Sequence, residues 1–237
     1  MAFIALDEQD LDVPEQRTPA WFALRKNRLT GSRLSEFNFI NSEERLRRYF
    51  NIIYNNAPKD PFTEEQKGWM KYGVEHESVA TDSFIKAFPE YVIMECPFYA
   101  HSNGEIGASP DGEYYKIVDG KVVETGVIEI KTPAKTKRPY PKVKDYYISQ
   151  MYWEMAVTGE RNAIFISWGP RMMRAWKLVW DENYWQCLSN LYHAFKDPNL
   201  SFETFLEVQH ALLKAQQIVI KNSEPLHAGK GVDVTTL

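Results

Sequence analysis

Residues Ser109 to Lys131 read SPDGEYYKIVDGKVVETGVIEIK, and the class of fold turns on this stretch. Side chains alternate between polar and apolar along it, and with Gly104, Gly112 and Gly120 as turn markers the region from Tyr91 onward reads as three or four sequential strands. Residues two apart on a strand share a face, so Glu129 and Lys131 project to one side while Ile128 and Ile130 face a core. Asp111 then arrives beside them from the neighbouring strand. Mg²⁺ takes oxygen ligands, typically one or two carboxylates together with substrate phosphate. Asp111, Glu129 and the main-chain carbonyl of Ile130 would supply such a set. A lysine beside cations has its charged form disfavoured, so Lys131 would orient or deprotonate an attacking water. The chemistry implied is metal-dependent phosphodiester hydrolysis. A Glu-x-Lys on a strand is common by chance, so the reading depends on what surrounds it.

Upstream, KYGVEHESVA places Gly73 and Glu77 on a long helix before the sheet, and Glu77 is a further carboxylate for the cluster. The segment Arg17 to Ser35 carries five basic residues (Arg17, Arg25, Lys26, Arg28, Arg33) and no acid. Its Thr30, Gly31 and Ser32 offer hydroxyls and backbone N–H groups at a helix start, an arrangement suited to phosphate. Downstream, Lys131 to Lys144 carries six basic residues, Lys135, Lys137 and Arg138 among them, again with no acid. Its three prolines make it a loop, placed to follow a nucleic-acid backbone. Gln150 falls on the next helix, where it would hydrogen-bond a phosphate.

The remaining elements follow from caps and periodicity. Thr18 with Pro19 opens a helix over Thr18 to Arg28, Ser32 to Phe37 is a second short helix, and Ser42 caps a third. Thr63 to Phe88 is a long helical stretch, with a break expected near Gly73. Val143 to Thr158 is helical, with Val143, Tyr147, Met151 and Met155 along one face. NAIFISWGPRMMRAWKLVW is a hairpin turning at Gly169 and Pro170. Helices over Asp181 to Lys196 and Ser201 to Lys221 complete the order. The expected architecture is a single α/β domain over 1–237 with a mixed central sheet flanked by helices, a loose start over 1–15 and a flexible tail over 222–237. The 237 residues are 44% hydrophobic and 25% charged, which excludes collagen, disordered and disulfide-scaffold classes. Two distant cysteines and five unpaired histidines give no zinc or iron-sulfur pattern. No apolar run spans a bilayer and the acidic first residues lack a secretion layout, so a cytoplasmic protein is expected, without a membrane partner.

Taken in order, W-x-x-x-R at Trp21 to Arg25, T-G-S at Thr30 to Ser32, G-x-x-x-E at Gly73 to Glu77, S-P-D-G at Ser109 to Gly112, E-x-K at Glu129 to Lys131 and the helical Gln150 resemble the phage recombination exonucleases typified by lambda exonuclease and its YqaJ-like relatives. The match runs over about residues 16 to 160. The resemblance implies a restriction-endonuclease-like PD-(D/E)xK core using two Mg²⁺ ions, or Mn²⁺ in their place. It implies processive 5′→3′ digestion of one strand at double-stranded DNA ends, leaving 3′ overhangs. It further implies a ring-shaped homotrimer and a single-strand annealing protein as partner in recombination and double-strand break repair. Carried onto this chain, Asp111, Glu129 and the Ile130 carbonyl are the metal ligands, Lys131 is the catalytic lysine and Glu77 the helical acid. Arg25, Ser32, Ser109 and Gln150 correspond to the pocket for the 5′-phosphate, with Arg28, Lys135, Lys137 and Arg138 as further DNA contacts.

A restriction-type or structure-specific endonuclease shares D…E-x-K, and the Arg25, Ser32 and Gln150 set is what separates it from an exonuclease. A catalytically silent DNA-binding protein is disfavoured by the intact Asp111, Glu129 and Lys131. The net charge of −4 argues against holding DNA by bulk positive charge. The two acid-free segments hold 11 basic residues, leaving about −15 elsewhere (−4 minus 11), so a ring with a basic inner wall and an acidic exterior would hold its substrate by topology.

Overall fold

The computed structural model describes residues 14, 16–101 and 104–226. The 109–131 stretch forms β5 (Gly112–Val118) and β6 (Lys121–Lys131), an antiparallel pair turning through Asp119 and Gly120, both at positive φ. Asp-Gly at these two positions suits a tight hairpin turn. From this pair the sheet grows on both sides. β2 (Tyr91–Met94) lies antiparallel on β5, and β7 (Asn162–Gly169) lies parallel on β6. The parallel pairing needs a crossover, which is the helix α4 (Asp145–Thr158). β8 (Met172–Val179) returns antiparallel through the expected Gly169-Pro170 hairpin, and β9 (Glu224–Leu226) pairs on β8. The six strands run β2-β5-β6-β7-β8-β9, a mixed sheet. A small second sheet has β4 (Ile106–Ala108) between β1 (Leu29–Thr30), parallel to it, and the antiparallel β3 (Tyr99–Ala100).

Helices cover both faces of the large sheet. On one, α3 (Glu64–Ala87) lays Ala80, Phe84 and Ala87 over Ile128, Ile130, Ile164 and Ile166. Trp168 Nε1 donates to Ser83 Oγ at 3.0 Å and fastens that helix to β7. On the other, α4, α5 (Glu182–Lys196) and α6 (Phe202–Asn222) bury Val127, Ala163, Phe165 and Leu178. Covered on both sides, Gly126 to Ile130 of β6 is wholly buried, as central strands with a parallel neighbour are. Two buried glutamines tie α6 to the rest of this layer, Gln209 donating to the Ile40 carbonyl at 2.9 Å and Gln216 to that of Asp145 at 2.6 Å.

Most cap-based boundaries hold. Thr18, Ser42, Thr63, Asp181 and Ser201 each accept a backbone N–H at a helix start. The first helix is shorter than expected, α1 spanning Pro19–Leu24, and Ser32 to Phe37 lies in a 3₁₀ segment over Gly31–Phe39. α2 (Glu43–Tyr54) follows Ser42. α3 runs unbroken through Gly73, and Gly112 opens β5 and forms no turn. Of the expected tail, Asn222 ends α6 and Glu224 to Leu226 form β9, while the rest lies outside the described residues, as does the N-terminal stretch apart from Pro14. Among the described residues no helix is long and apolar enough to cross a membrane.

Candidate active site

The Glu-x-Lys lies at the carboxyl end of β6, where open α/β sheets commonly place ligand sites. Val127 and Glu129 face the α4 layer, and Ile128 and Ile130 the α3 layer. Asp111 is fastened to this strand at two points. Its N–H donates to the Ile128 carbonyl at 3.0 Å, and its Oδ2 accepts from the Ile130 N–H at 2.7 Å. The carboxylate is thereby fixed against the strand that carries Glu129, whose side chain is only 1% exposed. Lys131 Nζ pairs with Glu129 Oε1, while Glu129 Oε2 is buried without a hydrogen-bond partner.

The electrostatics are those of crowded anions. Burial, then Asp111, push the Glu129 carboxyl up to about 8, and Lys131 and Gln150 only partly offset this. Burial opposes the Lys131 charge, but Glu129, Asp111 and Glu154 outweigh it and raise the ammonium above its ordinary range. Without cations, the depressed lysine expected beside metal is therefore reversed in sign. Glu77 is raised by burial and by Asp111, and its carboxylate is held by Arg17 at 2.5 Å. Among the described residues, no three His, Cys, Asp or Glu side chains are grouped so as to hold an ion by themselves. Two carboxylates and a strand carbonyl are what the site offers. The orphaned Glu129 oxygen, buried amid mutually repelling carboxylates, suits a hard divalent cation with oxygen ligands.

Of the expected phosphate residues, Arg25, Ser32, Ser109 and Gln150 lie beside the carboxylates, and the others do not. Arg25 stacks on the Trp21 ring at 4.1 Å and donates to Ser32 Oγ at 2.8 Å and Thr30 Oγ1 at 3.2 Å. Trp21 Nε1 in turn donates to Ser109 Oγ at 3.3 Å, which sets that hydroxyl two residues before Asp111. Burial and the nearby Arg33 bring the Arg25 guanidinium down to about 10, and Glu154 and Glu129 act against this. Gln150 is buried on α4, its Nε2 donating to Glu154 Oε1 at 2.9 Å. Arg28 is turned to its own loop, bonded to the Leu24 carbonyl. Lys135, Lys137 and Arg138 are exposed on the 132–144 loop, with Lys135 over Trp69 and Lys137 over Tyr72 of α3, each at 5.9 Å. They form a rim beside α3. Glu154, 1% exposed, is the site residue that sequence reasoning missed. Its signal was the Gln150–Glu154 spacing of four, which puts both side chains on one side of a helix.

A mixed sheet between helical layers, carrying Asp111 and Glu-x-Lys at the end of a central strand, defines the class as restriction-endonuclease-like. The crystal structure of an alkaline exonuclease, LHK-Exo, from Laribacter hongkongensis has this fold too, with a TM-score of 0.55 and 24% identity over 85% of this chain and all of that one. The complex of LHK-Exo with dAMP is similar at a TM-score of 0.56 and the same identity and coverage. Residues 20–161, more than half of the chain, match the YqaJ-like viral recombinase domain, and the chain belongs to that family. No curated protein matches it.

Proposed function

We propose that this protein is a divalent-metal-dependent deoxyribonuclease that removes nucleotides 5′→3′ from one strand of linear duplex DNA, processively and leaving 3′ overhangs. The observation that carries the reading is the junction of two sites. An Asp111–Glu129–Lys131 cluster around the buried Glu129 is joined to an arginine pocket of Arg25, Ser32 and Ser109 through Trp21, whose ring carries Arg25 and whose Nε1 donates to Ser109 Oγ two residues before Asp111. In this reading Arg25 and the hydroxyls beside it take the 5′-terminal phosphate, and that anchorage fixes which phosphodiester reaches the carboxylates. Asp111, Glu129 and the Ile130 carbonyl would hold Mg²⁺ or Mn²⁺, as two ions, with Glu77 close by. The cation would supply charge stabilisation on the scissile phosphate and a more acidic attacking water. Lys131, held by Glu129, would orient that water and, with its charge disfavoured beside the cations, take the proton that the water loses on attack. The exposed lysines of the 132–144 loop follow the backbone. Membership of a viral recombinase family favours DNA recombination and repair as the setting, with a homotrimeric ring and a single-strand annealing protein as partner.

The test is digestion of matched DNA forms with Mg²⁺. Linear duplex with 5′-phosphorylated ends should be degraded, 5′-hydroxyl ends more slowly, and covalently closed circles not at all. Cleavage of closed circles would instead indicate an endonuclease on the same core.

A further inference from the structure

Glu154 is a buried acid that the proposed chemistry does not use. It lies one turn beyond Gln150 on α4, flanked by Tyr152, Trp153, Met155 and Ala156, all buried. Its Oε1 accepts from Gln150 Nε2 at 2.9 Å, and its Oε2 is buried with no hydrogen-bond partner. Leaving an ionisable side chain in such a layer costs stability unless something is gained in return. Oε1, the oxygen that accepts from Gln150, faces Gly31: a Cβ there would stand 3.2 Å from it and 3.4 Å from Gln150 Cγ. The absence of a side chain lets the Thr30–Ser32 backbone lie directly on this pair. Glu154 thus touches both walls of the pocket, the α4 wall through Gln150 and the loop wall through Gly31.

A primary amide has two different ends, an NH₂ that donates and an oxygen that accepts, and nothing in its shape decides which way it faces. Burial, and then the Glu129 charge, raise the Glu154 carboxyl well above its ordinary range, and in the observed pair its Oε1 is the acceptor and the amide nitrogen the donor. Facing Glu154, the Gln150 amide presents its nitrogen inward and uses one of its two N–H groups there, while Gln150 also favours the charged form of Glu129. A reversed amide would instead turn its oxygen toward Glu129 and toward any bound phosphate, placing like partial charges together. From the geometry we infer that Glu154 is a positioning residue that locks the Gln150 amide with its N–H groups toward the terminal phosphate and Glu129.

The inference rests on the 5′-phosphate reading, and the experiment separates the two. The ratio of digestion rates on 5′-phosphorylated and 5′-hydroxyl duplex is measured for full-length wild type, Glu154→Leu, Gln150→Leu and the double variant, each with its melting temperature. A wild-type ratio of one would overturn the 5′-phosphate reading and this inference with it. With a wild-type preference in place, Glu154→Leu should lower the ratio about tenfold, the scale of one hydrogen bond to a charged group. The double variant should lower it no further than Gln150→Leu alone, because Glu154 acts through that amide. Glu154→Gln keeps an acceptor oxygen and should restore most of the ratio. Glu154→Met, unbranched and adaptable in packed cores, takes the place of the leucine variant if that one does not fold. An unchanged ratio in a folded apolar variant, or additive losses in the double, would overturn the role assigned to Glu154.

Discussion

Arg25 illustrates how a single side chain acquires a task. Its guanidinium is clamped between the Trp21 ring and two hydroxyls, with no carboxylate within ion-pair distance among the described residues. An arginine so held is preorganised for an anion and loses little freedom on binding one. Arg25→Ala should lower the preference for 5′-phosphorylated over 5′-hydroxyl ends by about 10- to 100-fold, the scale of one or more charged hydrogen bonds. Rate comparison on paired substrates checks this. Lys131→Ala should reduce turnover on linear duplex by at least about 100-fold, the usual size of a proton-transfer contribution, while binding of the DNA end, read by fluorescence anisotropy, stays within a few-fold. Wild-type turnover in that variant would remove Lys131 from the chemistry. At this scale the sequence was informative where side chains are polar within strands or turns, as at Asp111, Glu129 and Lys131. Glu154 escaped because one acid inside the apolar run Met151 to Val157 reads as a helix touching water once per turn. Only the fold reveals that α4 is buried on every side over Ile148–Val157.

Among the elements, α3 and the β5–β6 hairpin do most to place the carboxylates. Thr63 and Gln66 form a reciprocal capping box at the start of α3, and Thr63→Ala should cost about 1 kcal/mol in chemical denaturation. Gly126 of β6 lies opposite Tyr114, where a Cβ would stand 2.4 Å from the Asn162 carbonyl oxygen and 2.6 Å from the tyrosine ring. Gly126→Ala should therefore destabilise the protein by about 1–3 kcal/mol through overpacking, measured by urea unfolding. The long helices, the 162–179 hairpin and most caps were legible because periodicity and cap chemistry are local. The expected break at Gly73 did not occur. Glycine weakens a helix by only about 1 kcal/mol, and α3 recovers that through its cap and its packing on β6 and β7. The two-residue strand β1 was illegible for the opposite reason, and β3 and β4 were legible only as part of the strand-rich region from Tyr91. A strand that short has no alternation to read and exists only because distant segments meet.

At the level of the molecule, basic residues are concentrated in two acid-free stretches of the chain and the carboxylate cluster is left with unmet demand. Any cation that binds the folded state and not the unfolded chain raises the melting temperature by mass action. Mg²⁺ or Mn²⁺ should thus stabilise the wild type in thermal melts after chelation, and the increment should vanish in Asp111→Asn/Glu129→Gln. An equal shift in both would place the ion elsewhere. Sizing by light scattering checks the proposed ring, for which three copies are expected.

The two halves of the site are built into sheets of very different size. Glu129 and Lys131 end a strand paired with β7 through Lys131 and with β5 as far as Ile128, beyond which Asp111 Oδ2 holds the Ile130 N–H. Thr30 belongs to a two-residue strand at the rim of a three-stranded sheet, paired on one side only. Amide protons at 127–131 should consequently exchange with solvent only when the whole protein opens, whereas those around 29–32 should exchange through smaller, more frequent openings. On gentle warming, discrimination between chain ends would then fade while cleavage persists, so the enzyme would lose its sense of where to begin before it loses the ability to cut.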